Sequence, residues 1–208
     1  MYGADAGWLT CSTALGGADL VIPPEWTFRL SDIMSLVKKK YEANGNYCVI
    51  ALSKDAKIKG LKGFLDTQFD GFGNTRQEFL SLKLKEKIES LLGLTTKIIV
   101  PMNYFQSGEP LPLDWQMGVK LGQAGLELIK NKGFGRVAVV DYINKKFSVK
   151  TVSLRLFKDK TQKIESSFFD KIKMQPTNRY FKYMETLIGN YQFLDKKYNK
   201  LQSLIIKK

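Results

Sequence analysis

The sequence contains no histidine and only two cysteines among 208 residues, and these scarcities exclude several familiar kinds of protein chemistry. Histidine is the commonest metal ligand and the commonest acid or base at neutral pH, so proton transfer would have to rely on carboxylates, lysine, tyrosine or cysteine. Cys11 and Cys48 lie in apolar surroundings, which predicts buried free thiols rather than a disulfide or a metal pair. We therefore expect a reducing compartment, the cytoplasm.

Long apolar runs are also missing. No stretch approaches the roughly 18 consecutive apolar residues of a membrane span. The N-terminal residues carry no basic group ahead of an apolar stretch, so a secretory signal is not predicted. With 44% hydrophobic and 25% charged residues, the composition is typical of a globular chain of one or two domains.

Positive charge is distributed unevenly. The formal net charge is +13, but residues 142–208 carry 16 basic side chains against 5 acidic ones, and the preceding residues are nearly neutral. Aromatic residues are interleaved with these lysines, a combination that can bind nucleic acid through phosphate contacts and base stacking. No nucleic-acid recognition motif accompanies them, and the helical spacing of Tyr180, Tyr183 and Leu187 is typical of a packing face. A lysine-rich solvated surface is therefore the preferred interpretation, with nucleic acid the less favoured partner.

Short buried strands alternate with helices along the first 130 residues. Strands are predicted at 18–22, 47–52 and 96–102, and helices at 6–15, 31–42, 76–92 and 114–130, the last capped by Asp114. This alternation predicts an α/β fold, a parallel sheet with helices on both faces. Residues 54–75 are glycine-rich and predicted to be a long loop. Residues 136–154 predict a small β-hairpin extension, and residues 178–206 predict C-terminal helices.

Four sequence blocks, in the same order, resemble the 6-phosphofructokinase family. Residues 3–25 resemble the family segment Met-Gly-Arg, a glycine that opens a small-residue helix, and then GGAD and IPE. Residues 47–56 (YCVIALSKDA) stand where the family has a strand ending in Ser-Glu-Gly-Ala, and residues 70–74 (DGFGN) where it has D.FG. Residues 103–129 resemble Gly-His/Tyr-x-Gln-Arg-Gly-Gly-x-Pro followed by LG..A.ELI. Order and spacing agree over about residues 1–140.

The resemblance implies a doubly wound α/β protein that transfers a phosphoryl group to fructose 6-phosphate in glycolysis. The donor is ATP or pyrophosphate, used with Mg²⁺. The family's donor-binding glycine loop and catalytic aspartates precede its Met-Gly-Arg segment, and this sequence has no Gly-Gly-Asp loop to cradle phosphates. The resemblance therefore covers the family's C-terminal half. We expect this chain to hold no cofactor, to contribute no catalytic residue and to be inactive on its own.

The family's sugar-phosphate positions are mostly altered in this sequence. The arginine of Met-Gly-Arg falls on Ala4, behind Gly3, and the glutamate of Ser-Glu-Gly falls on Lys54, which cannot accept hydrogen bonds from sugar hydroxyls. The His/Tyr position falls on Tyr104, an allowed variant, and the arginine of Gln-Arg-Gly-Gly falls on Ser107. Losing two charged hydrogen bonds, at about 1.5–3 kcal/mol each, would weaken binding by roughly 10²–10⁴-fold. This pattern predicts a retained fold with a lost or altered site.

Acidic residues outside these positions have less specific interpretations. Glu25 ends the stretch Ile-Pro-Pro-Glu, and the resemblance places it at the border of an effector site, although a solvated turn acid explains it equally well. Asp66, Asp70 and Asp114 could be imagined as a metal cluster, but loop and cap roles explain them better, and no metal site is predicted.

The resemblance also implies a domain organisation. Residues 1–102 would build the sugar-phosphate domain, residues 103–155 would return to the donor domain, and residues 156–208 would form a basic helical segment. Residues 103–155 would then expose an apolar face, which a chain carrying the N-terminal half, or self-association as a homo-oligomer, would cover. Three functions remain open: the C-terminal half of a phosphofructokinase, a non-catalytic regulatory or oligomerisation protein of that family, and nucleic-acid binding through the basic tail.

Overall fold

Parallel strands and helices together form the α/β class that the sequence predicts. The computed structural model describes residues 6–61, 78–101, 108–144, 146–157 and 161–188. These residues belong to two compact units: residues 6–61, 78–101 and 163–181 form the first, and residues 108–144, 146–157, 161–162 and 182–188 form the second. Within the described residues, no helix has both the length and the apolar character that a membrane span requires.

The first unit contains two pairs of parallel strands with helices beside them. Its elements in chain order are α1 (Trp8–Ser12), a 3-10 turn (Thr13–Gly16), β1 (Leu20–Ile22), β2 (Thr27–Arg29), α2 (Leu30–Ala43), β3 (Ile50–Leu52), β4 (Lys57–Lys59) and α3 (Glu78–Leu92). Strand β1 pairs with β3, and β2 pairs with β4, both in parallel. Every residue of β1 is buried, as expected for a parallel strand covered on both faces.

Two amphipathic helices supply much of the first unit's core. Helix α2 buries Ile33, Met34 and Val37, and α3 buries Leu84 and Ile88. These spacings of three and four residues place each set on one side of its helix, so the charged residues between them face solvent. Helix α2 contacts both β2 and α3. The apolar spacing in the sequence of these two helices therefore corresponds to the side chains that the structure buries.

The second unit is built on one helix and one hairpin. Helix α4 (Pro112–Lys130) precedes the antiparallel strands β5 (Arg136–Ile143) and β6 (Lys146–Ser153), which are followed by a 3-10 turn (Leu154–Phe157). The register runs from the pair Arg136 and Ser153 to the pair Ile143 and Lys146, which confirms the predicted hairpin. Helix α4 packs on both strands.

A late stretch of the chain completes the first unit. It contains a 3-10 turn (Ser166–Phe168) and the antiparallel strands β7 (Phe169–Asp170) and β8 (Gln175–Pro176), and then α5 (Asn178–Ile188) begins. The N–H of Val21 donates to the carbonyl of Met174 (2.8 Å), so this stretch hydrogen-bonds directly to β1. Residues 161–177 contain no α-helix, and within the described part of the predicted basic segment the α-helix begins at Asn178.

Three local predictions need correction. Residues 96–101 form no strand, and Ile99 is 85% exposed, because within the described residues no neighbouring strand pairs with them. Asp114 is not an N-cap: Leu111 holds that position, and the Asp114 carboxylate accepts a hydrogen bond from its N–H (2.9 Å). The predicted loop 54–75 contains β4, and its residues 62–75 lie outside the described residues.

Candidate functional site

The candidate site lies where the parallel pair β1–β3 ends, at Ile22 and Leu52. The N–H of Ser53 donates to the carbonyl of Ile22 (3.0 Å), so the strand ladder continues one residue past β3. Glu25 follows β1 after two prolines, and Lys54 follows Ser53. Ligands of open parallel sheets bind outside the carboxyl ends of the strands. The fold therefore brings the turns that carry Glu25 and Lys54 to the edge where a ligand is expected.

Glu25 is a half-buried side chain that joins three distant parts of the first unit. Its Oε1 accepts hydrogen bonds from the backbone N–H of Gly7 (2.8 Å) and of Ile164 (3.1 Å). Its Oε2 is buried and has no hydrogen-bond partner within the described part of the chain. Through these contacts Glu25 holds the start of α1, and the late stretch that contains Ile164, against the end of β1. Its effector-site role stays a prediction.

Gly7 is required because the chain comes very close to itself where Glu25 binds Gly7 and Ile164, a set of contacts that we call the Glu25 clamp. A Cβ placed on Gly7 would lie 2.4 Å from the Cβ of Pro23 and 2.7 Å from the Oε2 of Glu25. Both distances are shorter than nonbonded atoms tolerate, so any side chain would push α1 away from the end of β1. This is the glycine that opens the small-residue helix in the block that resembles the phosphofructokinases.

Lys54 is half-buried at the carboxyl end of β3, directly after the buried Ser53, which is 1% exposed. An ammonium group offers three hydrogen-bond donors and no acceptor. At this edge it can attract an anion, but it cannot receive the hydrogen bonds that sugar hydroxyls donate. The structure thus places Lys54 at the carboxyl end of the strand pair, with chemistry opposite to that of a carboxylate.

The other predicted substrate positions cannot be located in the fold. Gly3, Ala4, Tyr104 and Ser107 all lie outside the described residues. Their assignment rests on the sequence blocks alone and stays a prediction. The described part of the candidate site therefore consists of the Glu25 clamp and the Lys54 turn.

The described residues do not form a site that fits a magnesium ion. No group of three or more carboxylates and thiols among them could hold a metal, and the predicted loop acids Asp66 and Asp70 lie outside the described ranges. The nearest carboxylate, Glu25, already accepts two backbone hydrogen bonds through one oxygen. Magnesium prefers several oxygen ligands in near-octahedral geometry, which this arrangement does not supply.

Neither thiol is suited to nucleophilic chemistry. Cys11 and Cys48 are both free, the first buried and the second half-buried. Burial, and then the negative charge of Glu25, raises the pKa of Cys11 far above its usual range. Burial and the charge of Asp19 raise the pKa of Cys48 to about 11, against a lowering by Lys40. Both thiols are therefore protonated at neutral pH, and the thiolate is the reactive form.

Sequence reasoning missed a second polar cluster, which fixes the other end of β1. Asp19 accepts hydrogen bonds from the side chain of Asn44 (2.7 Å) and from the N–H of Val49 (2.8 Å). The side-chain amide of Gln175 donates to the carbonyls of Ala18 (2.8 Å) and Asp19. The GGAD block pointed to this region, but its partners are unpredictable from spacing because they lie on separate elements.

Several aromatic rings of the basic C-terminal region are engaged within the first unit. Phe168 packs edge-on against Trp8, and Tyr180 stacks on Trp8 with its hydroxyl donating to the Trp8 carbonyl (3.1 Å). The Arg179 guanidinium lies 5.6 Å from the centre of the Phe168 ring. Because these rings already pack against other side chains, they are not exposed surfaces on which nucleic-acid bases could stack.

Comparisons with known proteins identify the family of the chain. Residues 1–129 match the family described as Phosphofructokinase. The chain is 28% identical over 177 residues to a pyrophosphate–fructose 6-phosphate 1-phosphotransferase of Dictyoglomus thermophilum, covering 83% of this chain and 50% of that protein. It is 26% identical over 135 residues to ATP-dependent 6-phosphofructokinase 1 of Synechocystis sp., covering 64% and 37%.

A solved structure shows the same fold. The crystal structure of a pyrophosphate-dependent phosphofructokinase from Marinobacter aquaeolei matches with a TM-score of 0.74 at 16% identity, covering 93% of this chain and 47% of that one. The likeness confirms the predicted α/β class. The chain spans about half, or less, of the length of these relatives. Because the family match extends over more than half of the sequence, the chain belongs to the phosphofructokinase family.

Proposed function

We propose that this chain forms the sugar-phosphate half of a phosphofructokinase-like protein and transfers no phosphoryl group by itself. The names of the relatives supply the reaction class, phosphoryl transfer to fructose 6-phosphate from pyrophosphate or ATP. By the family resemblance, the groups that bind the phosphoryl donor, and its Mg²⁺, belong to the half of the fold that precedes this one. On this proposal the protein acts in the cytoplasm, beside the enzymes of glycolysis, as a non-catalytic member of its family.

The main support for an altered sugar-phosphate site is the position of Lys54. Strand β3 is followed by a buried serine, Ser53, which is hydrogen-bonded to the end of β1, and the next side chain is the half-buried ammonium of Lys54. The family resemblance assigns to this place a glutamate that accepts hydrogen bonds from sugar hydroxyls. Replacing that acceptor with a donor removes one charged hydrogen bond, a loss of about 1.5–3 kcal/mol or roughly 10–100-fold in affinity. Ala4 and Ser107, in place of two arginines, weaken phosphate binding further.

The division of the chain into units supports the domain assignment in the proposal. We assign residues 1–102 to the sugar-phosphate domain. We assign residues 103–155 to the part of the chain that leads back into the donor-binding domain. The boundary between the two compact units after residue 102 is consistent with that assignment. The late stretch 163–181 belongs with the first unit, so in our proposal it stabilises the sugar-phosphate part.

Ligand binding by the isolated chain tests the proposal. We would measure thermal melting with 5 mM fructose 6-phosphate, fructose or inorganic phosphate, and determine Kd by NMR titration of the ¹⁵N-labelled chain. Specific binding at 100 times Kd would add about 2.7 kcal/mol of stability, so a wild-type chain that binds weakly should melt at the same temperature in all three solutions. Incubation with Mg²⁺ and either ATP or pyrophosphate should yield no fructose bisphosphate.

One charge reversal, with its control, isolates the role of residue 54. Lys54→Glu restores the family's acceptor and should tighten fructose 6-phosphate binding roughly 10–100-fold over wild type. Lys57→Glu makes the same charge change at an exposed position of β4 and should leave Kd unchanged. A wild-type chain that binds fructose 6-phosphate tightly, or turns it over, would refute the proposal. Equal affinity of Lys54→Glu and wild type would show that residue 54 does not face the sugar.

A further inference from the structure

The end of helix α2 carries the pair Asn44-Gly45, the one place in the sequence where glycine directly follows asparagine. Asn44 is the C-cap of α2, and its N–H donates to the carbonyl of Lys40 (2.9 Å). Gly45 follows with a φ of +76°, a left-handed conformation that glycine adopts without strain. Because glycine has no side chain to block the approach, its backbone nitrogen can reach the side-chain amide of a preceding asparagine more easily than that of any other residue.

The backbone nitrogen of Gly45 is available for reaction. The N–H groups on either side of it are bonded into the helix end, that of Asn44 to Lys40 and that of Asn46 to the carbonyl of Tyr41 (2.9 Å). Within the described part of the chain, the N–H of Gly45 makes no backbone hydrogen bond. Gly45 is exposed, and a Cβ built on it would meet nothing within 4 Å. Water and hydroxide can therefore reach this nitrogen.

The side-chain amide of Asn44 is held at the start of β1. Its Nδ2 donates to the Oδ1 of Asp19 (2.7 Å), and the Oδ2 of Asp19 accepts the N–H of Val49 (2.8 Å). Both oxygens of this half-buried carboxylate thus already accept a hydrogen bond. Asp19 directly precedes β1 and Val49 directly precedes β3, so the amide of Asn44 ties the end of α2 to the start of the parallel strand pair.

We propose that Asn44 is a site of spontaneous deamidation, and that the carboxylate it produces separates the end of α2 from the start of β1. The nitrogen of Gly45 loses its proton to water or hydroxide and bonds to Cγ of Asn44, while the bond between Cγ and Nδ2 breaks. The leaving nitrogen takes up a proton and departs as ammonia, which leaves a cyclic succinimide. Water then opens the ring to aspartate or isoaspartate. Overall, water is consumed and ammonia is released, and nothing is oxidised or reduced.

The turn must open before the ring can close. The ψ of Asn44 is 2°, and the bond between its Cα and carbonyl carbon must rotate before the Gly45 nitrogen faces Cγ. This rotation displaces the hydrogen bond from Asn46 to Tyr41, which lies at the end of the helix, where local opening costs little. Glycine lets the chain follow the rotation without a steric barrier. The reaction therefore requires the opening of one helix turn and not the unfolding of the unit.

The product replaces an attraction with a repulsion. In place of the amide donor, a second carboxylate would face the oxygens of Asp19, and like charges at that distance are strongly unfavourable. The new negative charge would also stand at the C-terminus of α2, the negative end of the helix dipole. Losing the charged hydrogen bond should raise the equilibrium constant for unfolding of the first unit roughly 10–100-fold. For a chain of this size, that change lowers the melting temperature by about 3–10 °C.

Mass spectrometry of the aged full chain tests the reaction. After several weeks at about 37 °C and about pH 8, trypsin should release residues 41–54, a peptide that contains both Asn44 and Asn46. Fragmentation should locate the replacement of amide by hydroxyl at Asn44 first, with isoaspartate among the products. Asn46 is an internal control, because its side chain is more exposed but the next residue is tyrosine. Asn44→Gln, whose longer side chain disfavours the ring, should stay unmodified. Deamidation of Asn46 before Asn44, or an Asn44 that remains intact, would overturn the proposal.

Three variants test the structural consequence. Asn44→Asp reproduces the aspartate product and should melt about 3–10 °C below wild type. Asn46→Asp adds the same charge at an exposed residue of the same turn and should melt within about 2 °C of wild type. Asp19→Asn combined with Asn44→Asp exchanges the donor and the acceptor, so the two side chains can hydrogen-bond again. The double variant should recover most of the stability that Asn44→Asp loses.

The aged wild-type chain provides the same comparison if Asn44→Asp does not fold. Its deamidated fraction carries an extra negative charge, so ion exchange separates it from the unmodified fraction of the same sample. The deamidated fraction should melt at the lower temperature. Equal melting temperatures of the two fractions, or of Asn44→Asp and wild type, would overturn the proposal. A double variant no more stable than Asn44→Asp would overturn it equally, because the loss would then not arise from the contact with Asp19.

Discussion

Removing the carboxylate of Glu25 should destabilise the first unit by about 3 kcal/mol. Glu25 accepts hydrogen bonds from the backbone N–H groups of Gly7 and Ile164, and the second of these lies 139 residues away in sequence. A hydrogen bond to a charged group contributes about 1.5–3 kcal/mol, and a buried donor left without a partner adds its own desolvation cost. Because Glu25 is half-buried, water can replace part of the loss, so the expected cost is about 3 kcal/mol rather than the full value for two bonds.

Fluorescence can report on this unit alone. Trp8 and Trp26 belong to the first unit and Trp115 to the second, so a Trp115→Phe background leaves only first-unit tryptophans. In that background, Glu25→Ala should lower the melting temperature by about 6–12 °C, at roughly 2–4 °C per kcal/mol for a chain of this size. Glu25→Gln retains an acceptor oxygen and should cost about 1 kcal/mol.

An exposed glutamate provides the matched control. Glu127 pairs with Lys130 on the surface of α4, where both side chains are about 60% exposed. Glu127→Ala should change stability by less than about 0.5 kcal/mol, since exposed ion pairs contribute little. If Glu25→Ala melted within 1 °C of its parent, the clamp would be dispensable. If Glu25→Gln were as damaging as Glu25→Ala, the negative charge, rather than the hydrogen-bond geometry, would be what stabilises the unit.

Four further predictions concern single residues of the first unit. Gly7→Ala should cost about 1–3 kcal/mol in urea unfolding because its Cβ overlaps the end of β1, whereas Gly16→Ala, with open space around it, should cost far less. The free energy of unfolding should fall as pH rises from about 9 to 11, because the folded state keeps the thiol of Cys48 protonated after the unfolded chain has ionised it. Cys48→Ser should reduce this dependence of stability on pH. In a thiol-labelling assay, Cys48 should react before the buried Cys11. Tyr180→Phe removes the hydroxyl that donates to a carbonyl of α1 and should lower the free energy of unfolding by about 1 kcal/mol.

Features that depend on local patterns could be predicted from the sequence. The hairpin β5–β6 follows from two strand-like runs with a short polar turn between them, and the two strands pair antiparallel as expected. Helices α3 and α4 follow from apolar spacing of three and four residues, a pattern specified within the helix itself. The buried strand β1 follows from its branched residues between glycines and prolines.

Features that depend on distant partners could not be predicted. Residues 96–101 look like a strand by composition, but a strand exists only where another strand pairs with it, and composition does not reveal the neighbour. The late stretch with Met174 and Gln175 bonds to β1 through backbone and amide groups, which carry no sequence signature. Glu25 likewise binds backbone N–H groups, and any residue except proline supplies one.

The difference between the clamp and the Lys54 turn explains how a fold can persist while its binding site changes. At the clamp, a Cβ on Gly7 would overlap Pro23 and Glu25, so a substitution of Gly7 must move the backbone, while Glu25 accepts the hydrogen bond of the Gly7 N–H. At the turn, the serine before Lys54 carries the hydrogen bond to β1, so the side chain of residue 54 is not required for the strand pair. A change from an acidic to a basic residue there alters ligand chemistry at little cost to stability. Membership of the family therefore establishes the scaffold, while substrate binding depends on side chains that the scaffold leaves free to vary.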